Sequence, residues 1–234
     1  MDSQDTPEPA RVGTASAPDL TVPHEVVRPE HRRRYLERMT MFSDGVAAIA
    51  LTLLVLPLVD IAAPHAGETA WQALSQSRDE LMAFAVTFLV IAVLWMAHNR
   101  IFSFIDDYDS VLKWLNVLYL FSIVTLPFPS KWLQYDNFEN GVGTIFFGIM
   151  FLASLALYLM SRHVLVNPQM LTAEARGNLA LVKAGTGPLH PIFFGVGIVV
   201  AQVLPHLAGY YLLALIPLGW INDKVTDKHH LRDS

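Results

Sequence analysis

Long apolar blocks alternate with short polar ones along this chain. Six apolar blocks stand out, roughly 40–61, 79–101, 112–133, 141–162, 190–204 and 207–221. The first four run about 20 residues each, enough to cross about 30 Å of hydrocarbon at 1.5 Å per residue. The last two are shorter and meet at Pro205 and His206, a pattern that predicts a tight helical hairpin, with one buried, kinked segment as the alternative. The longest linker, 163–189, holds a weakly amphipathic piece, "TAEARGNLALVKAG", that predicts a surface helix. The expected fold is therefore all-α, a polytopic membrane protein with six transmembrane helices in residues 35–225. A polar, Pro-rich tail (1–34) and a short polar tail (226–234) flank it; the first is expected to be disordered.

Composition agrees with this pattern and narrows the function classes. Of 234 residues, 53% are hydrophobic and only 16% charged, against about 25% charged in an ordinary soluble domain. A net charge of −5 argues against a nucleic-acid partner, and the absence of Cys removes thiolate metal sites, disulfides and a Cys nucleophile. The first thirty residues contain no apolar core of a signal peptide. Fourteen of the sixteen Lys and Arg residues fall on one side of the expected topology, leaving only Arg78 and Lys131 on the other. The positive-inside bias then places both termini in the cytoplasm, with the chain multi-pass in the cell (plasma) membrane.

The first apolar block begins with "FSDG", and fifteen uncharged residues separate Asp44 from Asp60. On a helix advancing about 100° per residue with Ile49 at zero, Leu53 falls near 40°, Leu56 near −20°, Thr52 near −60° and Asp60 near 20°. Phe42 and Val46 lie on the same side. Asp44 falls almost opposite, so the Ser43–Asp44 pair turns toward neighbouring helices. Read from the residues alone, an Ile-Leu-Leu stripe is explained more readily by ordinary packing than by a pore wall.

Depth adds a second constraint. Asp44 lies near the cytoplasmic end of the first helix, His98 and Asn99 close the second, and Asn116 stands near the start of the third. These groups converge on one level. A carboxylate in the membrane must find donors or a proton, and Ser43, His98 and Asn116 are the expected partners in a network tying the first three helices together.

The segment "RMTMFSDGVAAIALTLLVL" resembles the first helix of the transmembrane protein 175 family of potassium channels, whose hallmark is Arg, three residues, then Phe-Ser-Asp. Here these are Arg38, Phe42, Ser43 and Asp44. "WMAHNRIF" and "LNVLYLFSIVTLPFPS" are similar to that family's second and third helices, and one copy of the motif matches the single-repeat prokaryotic form. The resemblance implies a homotetramer in the lipid bilayer, with the first helix of each subunit lining a central pore for monovalent cations. It maps the hydrophobic constriction onto Ile49, Leu53 and Leu56 and a pore-lining threonine onto Thr52. It places Arg38, Ser43, Asp44, His98 and Asn116 in a structural polar network. Four copies of the stripe would make three apolar rings under an acidic ring of Asp60. Selection would come from partial dehydration in that neck, so weak potassium selectivity is expected.

The expected function is thus a potassium-permeable channel, with permeant potassium as its ligand and no cofactor or metal site. The alternative is a proton-coupled membrane carrier using Asp44 and His98. No enzyme is expected: Ser43 and Asp44 diverge by about 100° around their helix, and no oxyanion loop accompanies them. His229 and His230 read as a solvated tail, Asp106, Asp107 and Asp109 as a solvated turn, and the tryptophans near segment ends as interfacial anchors.

Overall fold

A computed structural model describes residues 29–59, 67–136, 138–178 and 187–214, and the described residues are helical with one isolated β-bridge. In chain order the helices are α1 (Pro29–Leu53), α2 (Leu56–Val59), α3 (Ala70–Gln76), α4 (Arg78–Phe102), α5 (Ser110–Thr125), α6 (Pro127–Asp136), α7 (Val142–Val166), α8 (Ala173–Gly177), α9 (Leu189–Val203) and α10 (Pro205–Leu213). Four stretches are long and apolar enough to cross a membrane: Arg33–Val59, Arg78–Phe102, Ser110–Asp136 and Val142–Val166. They coincide with the first four apolar blocks. α9 is apolar but only 15 residues long. It turns at Leu204 into α10, which packs back against it. Residues 215–221 of the sixth block lie outside the described residues.

Proline writes two of the helix interruptions. Pro57 has no N–H to donate to Leu53 and its ring crowds that carbonyl, and the chain breaks at Leu54–Val55 before α2 begins. Across the break Val55 N–H bonds Thr52 O at 3.2 Å and Leu58 N–H bonds Val55 O at 2.9 Å, tighter three-residue turns. Pro127 divides α5 from α6 in the same way. The first apolar block is therefore one span but two helices, a correction to the continuous helix expected over it. α1 itself starts at Pro29, upstream of the expected domain boundary at 35.

α7 forms the centre of the bundle, with Phe146, Phe147, Met150, Ala153, Ala156 and Met160 fully buried. It packs on α4, α5, α6 and α9. Gly197 lets α9 close on it, since a Cβ there would overlap the Phe147 ring. α1 sits at the edge instead, against α4 and α5. The linker between α2 and α4 contains α3, which hydropathy did not predict. Thr69 and Gln72 cap it reciprocally, the side chain of each bonding the other's end of the turn. Of the surface helix expected in the 163–189 linker, α8 is the described part, and 179–186 lie outside the described residues.

At one end of the bundle the α4–α5 and α7–α8 loops are tied together. Asp106 N–H bonds Met170 O and Thr172 N–H bonds Phe104 O, both at 2.9 Å. Asp109 caps α5 by accepting from Leu112 N–H at 2.8 Å. Its other oxygen accepts from His163 Nε2 at 2.6 Å. Partial burial alone would raise the Asp109 pKa, but the bonds from Leu112 and His163 outweigh it and hold the carboxyl below its ordinary value. The acidic turn is thus a helix cap and an interhelical clasp.

Candidate functional site in the first helix

α1 has two unlike faces. Ser43, Ala47, Ala50 and Leu54 recur at helical spacing and are all buried. Three of the four are small, which lets α4 and α5 approach the α1 backbone. On the opposite face Phe42, Ile49, Leu53 and Leu56 are 64%, 60%, 42% and 57% exposed. Gly45 and Thr52 share that exposure. Large apolar side chains left open along one side of a peripheral helix require lipid or another protein surface.

Phe42, Ile49 and Leu53 are exposed as their phases predict, whereas Val46, expected beside them, is half-buried and packs against the core. Beyond the Pro57 break a uniform 100° advance no longer applies, yet Leu56 remains exposed with the stripe. Val55, in the turn between α1 and α2, is 44% exposed. Asp60 lies outside the described residues. The Thr52 hydroxyl donates to Ile49 O at 2.8 Å, so its oxygen keeps its lone pairs for an outside group.

The polar residues divide into two separate branches. In the buried one, His98 Nε2 meets Asn116 Oδ1 at 2.8 Å, Asn116 Nδ2 donates to Ser43 Oγ at 3.0 Å, and Ser43 Oγ donates to Met39 O at 2.9 Å. Read in that direction, with the His98 proton at Nε2, each of the three bonds has a donor and an acceptor, and His98 Nδ1 is left without a partner. The ring is fixed between Phe102 and Tyr119, whose centroids lie 4.3 and 4.7 Å away. This branch joins α1, α4 and α5.

Asp44 belongs to the other branch. Its Oδ1 accepts from Trp95 Nε1 at 2.8 Å. With the Asn99 amide oriented to satisfy its neighbours, Nδ2 donates to the same oxygen at 2.9 Å and Oδ1 accepts from Trp95 at 3.1 Å. The donors expected for Asp44 were Ser43, His98 and Asn116; they bond one another instead. Neighbours along a helix point about 100° apart, so Ser43 and Asp44 serve different partners, as do His98 and Asn99. Arg38 joins neither branch. It is exposed and faces a groove between α1 and α5. Trp95 is the residue that sequence reading missed, because its place near a helix end suggested interfacial anchoring. Its indole stands one turn before Asn99, and that spacing was the available signal.

Together these features give a peripheral helix with one face bolted to the bundle and the other apolar, uncharged and open. Among the described residues no group of three or more His, Cys, Asp or Glu could hold a metal ion.

The chain is similar to several known proteins. A family model described as "Endosomal/lysosomal potassium channel TMEM175" matches residues 38–127, the span from Arg38 through α5. A potassium channel of Streptomyces collinus is 32% identical over 190 residues, covering 76% of this chain and 89% of that protein. The human endosomal/lysosomal proton channel TMEM175 is 31% identical over 97 residues, which is 39% of this chain and 18% of that protein. Among solved structures, the lysosomal potassium-selective channel TMEM175 homologue from Chamaesiphon minutus superposes with a TM-score of 0.64 at 23% identity, covering 80% of this chain and 97% of that one.

Proposed function

The chain belongs to the TMEM175 family of ion channels, and from that premise we propose that it forms a weakly selective potassium channel as a homotetramer. In this reading α1 of each subunit lines one central pore, and the subunit contributes six membrane helices within residues 35–225. The carrying observation is the exposed stripe of Ile49, Leu53 and Leu56 on a span whose other side, Ser43, Ala47, Ala50 and Leu54, is buried against the bundle. One stripe cannot enclose a pore, so rotational symmetry must supply the other walls.

The neck selects by dehydration. An ion passing three apolar rings sheds part of its water, and a strongly hydrated ion pays more there. Thr52 stands at the level of this neck with its hydrogen committed to the backbone, so its oxygen is oriented to replace one lost water. Asp60 would add an acidic ring at the outer mouth and concentrate cations there. Ser43, Asp44, His98 and Asn116 have a structural task, holding the pore helix at one rotation about its axis. Positive-inside bias puts both tails, 1–34 and 226–234, in the cytoplasm and the channel in the plasma membrane. Potassium is the permeant ligand, and no cofactor is invoked.

Asp44 and His98 lie on separate branches and away from the exposed stripe, which speaks against a proton-coupled carrier built on them. The deciding experiment is potassium flux into liposomes holding the purified protein, with no proton gradient. Flux that follows the potassium gradient alone is expected. Flux that appears only with a proton gradient would overturn the channel reading.

A further inference from the structure

A groove of about 590 Å³ runs between the flank of α1 and the start of α5. Tyr35, Arg38, Lys113 and Trp114 stand at its polar end, and Phe42 and Val117 line its apolar length. It lies beside the exposed stripe, on the side of α1 that turns toward α5.

Its chemistry is one-sided. The Lys113 ammonium lies 4.9 Å from the Tyr35 ring centroid and 4.7 Å from that of Tyr108, and the two rings stack at 4.6 Å. Aromatic faces hold this cation in place without neutralising it. Among the described residues neither Lys113 nor Arg38 forms an ion pair, and no Asp or Glu lines the groove. Two positive charges therefore face an opening whose remaining walls are apolar and aromatic. The apolar length continues along α5 into Phe121 and Val124, which are 63% and 51% exposed.

We propose that this groove binds an anionic phospholipid. The phosphate sits between the Arg38 guanidinium and the Lys113 ammonium, and an acyl chain follows Phe42 and Val117 toward Phe121 and Val124. Trp114, 73% exposed at the polar end, lies where an indole favours the headgroup boundary. The rival occupant is a second copy of the chain. Charge disfavours it: among the described residues the start of α1 together with Lys113 carries Arg33, Arg34 and Arg38 against Glu37, so two such faces brought together repel. The same excess attracts an anionic leaflet. The lipid site goes beyond the channel reading and does not depend on what crosses the pore.

Native mass spectrometry of the detergent-purified full chain, titrated with phosphatidylglycerol or phosphatidylcholine, tests this directly. Phosphatidylglycerol is expected to bind more tightly. Lys113→Gln and Arg38→Gln should each weaken it about fivefold, the effect of removing one cation near an anionic lipid, with phosphatidylcholine binding unchanged. Val117→Trp keeps every charge but fills the apolar length and should remove tight binding of phosphatidylglycerol. Arg162→Gln removes an exposed cation elsewhere and should change nothing. Equal losses in Arg162→Gln and Lys113→Gln would overturn the site in favour of diffuse attraction. Unaltered lipid binding in both Lys113→Gln and Val117→Trp would also overturn it. Dissociation of the oligomer by those variants without any lipid preference would assign the groove to a second copy.

Discussion

Trp95 and Asp44 meet across the contact between α1 and α4, the indole Nε1 donating to the carboxylate Oδ1 at 2.8 Å. The bond fixes the rotation of α1 relative to α4, because Asp44 reaches Trp95 only from one phase of its helix. Trp95→Phe keeps most of the ring and removes only the donor. Asp44 would retain Asn99, so the loss should be about 1–3 kcal/mol, the worth of one hydrogen bond to a charged group. Thermal unfolding in detergent is the measurement. Asp44→Ala should cost more and impair assembly, since it strands both donors. A variant that assembled normally and lost only pH-dependent transport would return Asp44 to a carrier role.

The buried branch is testable as a unit. Asn116 accepts from His98 and donates to Ser43, so Asn116→Ala leaves His98 Nε2 without a partner, while Ser43 keeps its bond to Met39 O. We expect about 1–3 kcal/mol of destabilisation, the cost of one stranded buried group. Ser43→Ala should cost a similar amount, because it leaves the Asn116 amide short of an acceptor. In a double-mutant cycle the pair should couple by at least about 0.5 kcal/mol. Strict additivity would break the proposed chain between α1 and α5.

The clasp at the end of the bundle predicts a dependence on acid. The Asp109 carboxyl titrates below its ordinary value in the folded protein. Its stabilising contribution is then fully present above the unfolded carboxylate pKa, about 3.9, and is lost as pH falls through the lower folded value. Asn caps a helix about as well as Asp, so Asp109→Asn should keep the α5 cap and remove this acid-dependent part. Melting temperature followed from neutral pH downward should fall less steeply in the variant. Parallel curves for the two proteins would dismiss the clasp as an acid-sensitive contact.

Parts of this architecture were readable from residue order because they follow from periodicity. Apolar block length placed four spans, and the 100° advance separated Ser43 and Asp44 from Ile49 and Leu53. Pairing was harder to read. Asp44, His98, Asn99 and Asn116 were all placed at one depth, but which donor meets which acceptor depends on the rotation of α4 and α5 about their own axes. Residue order does not state that rotation; it follows from packing against α7. The break at Leu54–Val55 was legible in principle, since Pro57 lacks a donor, but its apolar setting let it pass as one helix with α1. In the same way the T-x-x-Q signature of Thr69 and Gln72 announced α3, while the low hydropathy of that linker concealed it.

The pore reading rests on distinguishing Leu53 from its neighbour Leu54, one of which faces outward and the other into the bundle. Leu53 is 42% exposed and Leu54 only 3%. If the stripe forms the neck, Leu53→Ala widens one ring in four copies and lessens the dehydration required of each ion. Conductance should rise and the preference for potassium over sodium should fall, with little change in stability because the site is open within the protomer. Leu54→Ala is the matched control. It removes the same atoms from the contact with α4 and α5, and should cost about 2–5 kcal/mol as a core cavity while leaving ion preference alone. Single-channel recording and thermal unfolding of both variants settle the assignment. Should Leu53→Ala destabilise the assembled protein as much as Leu54→Ala and leave selectivity unchanged, the stripe is a packing seam and the permeation path lies elsewhere.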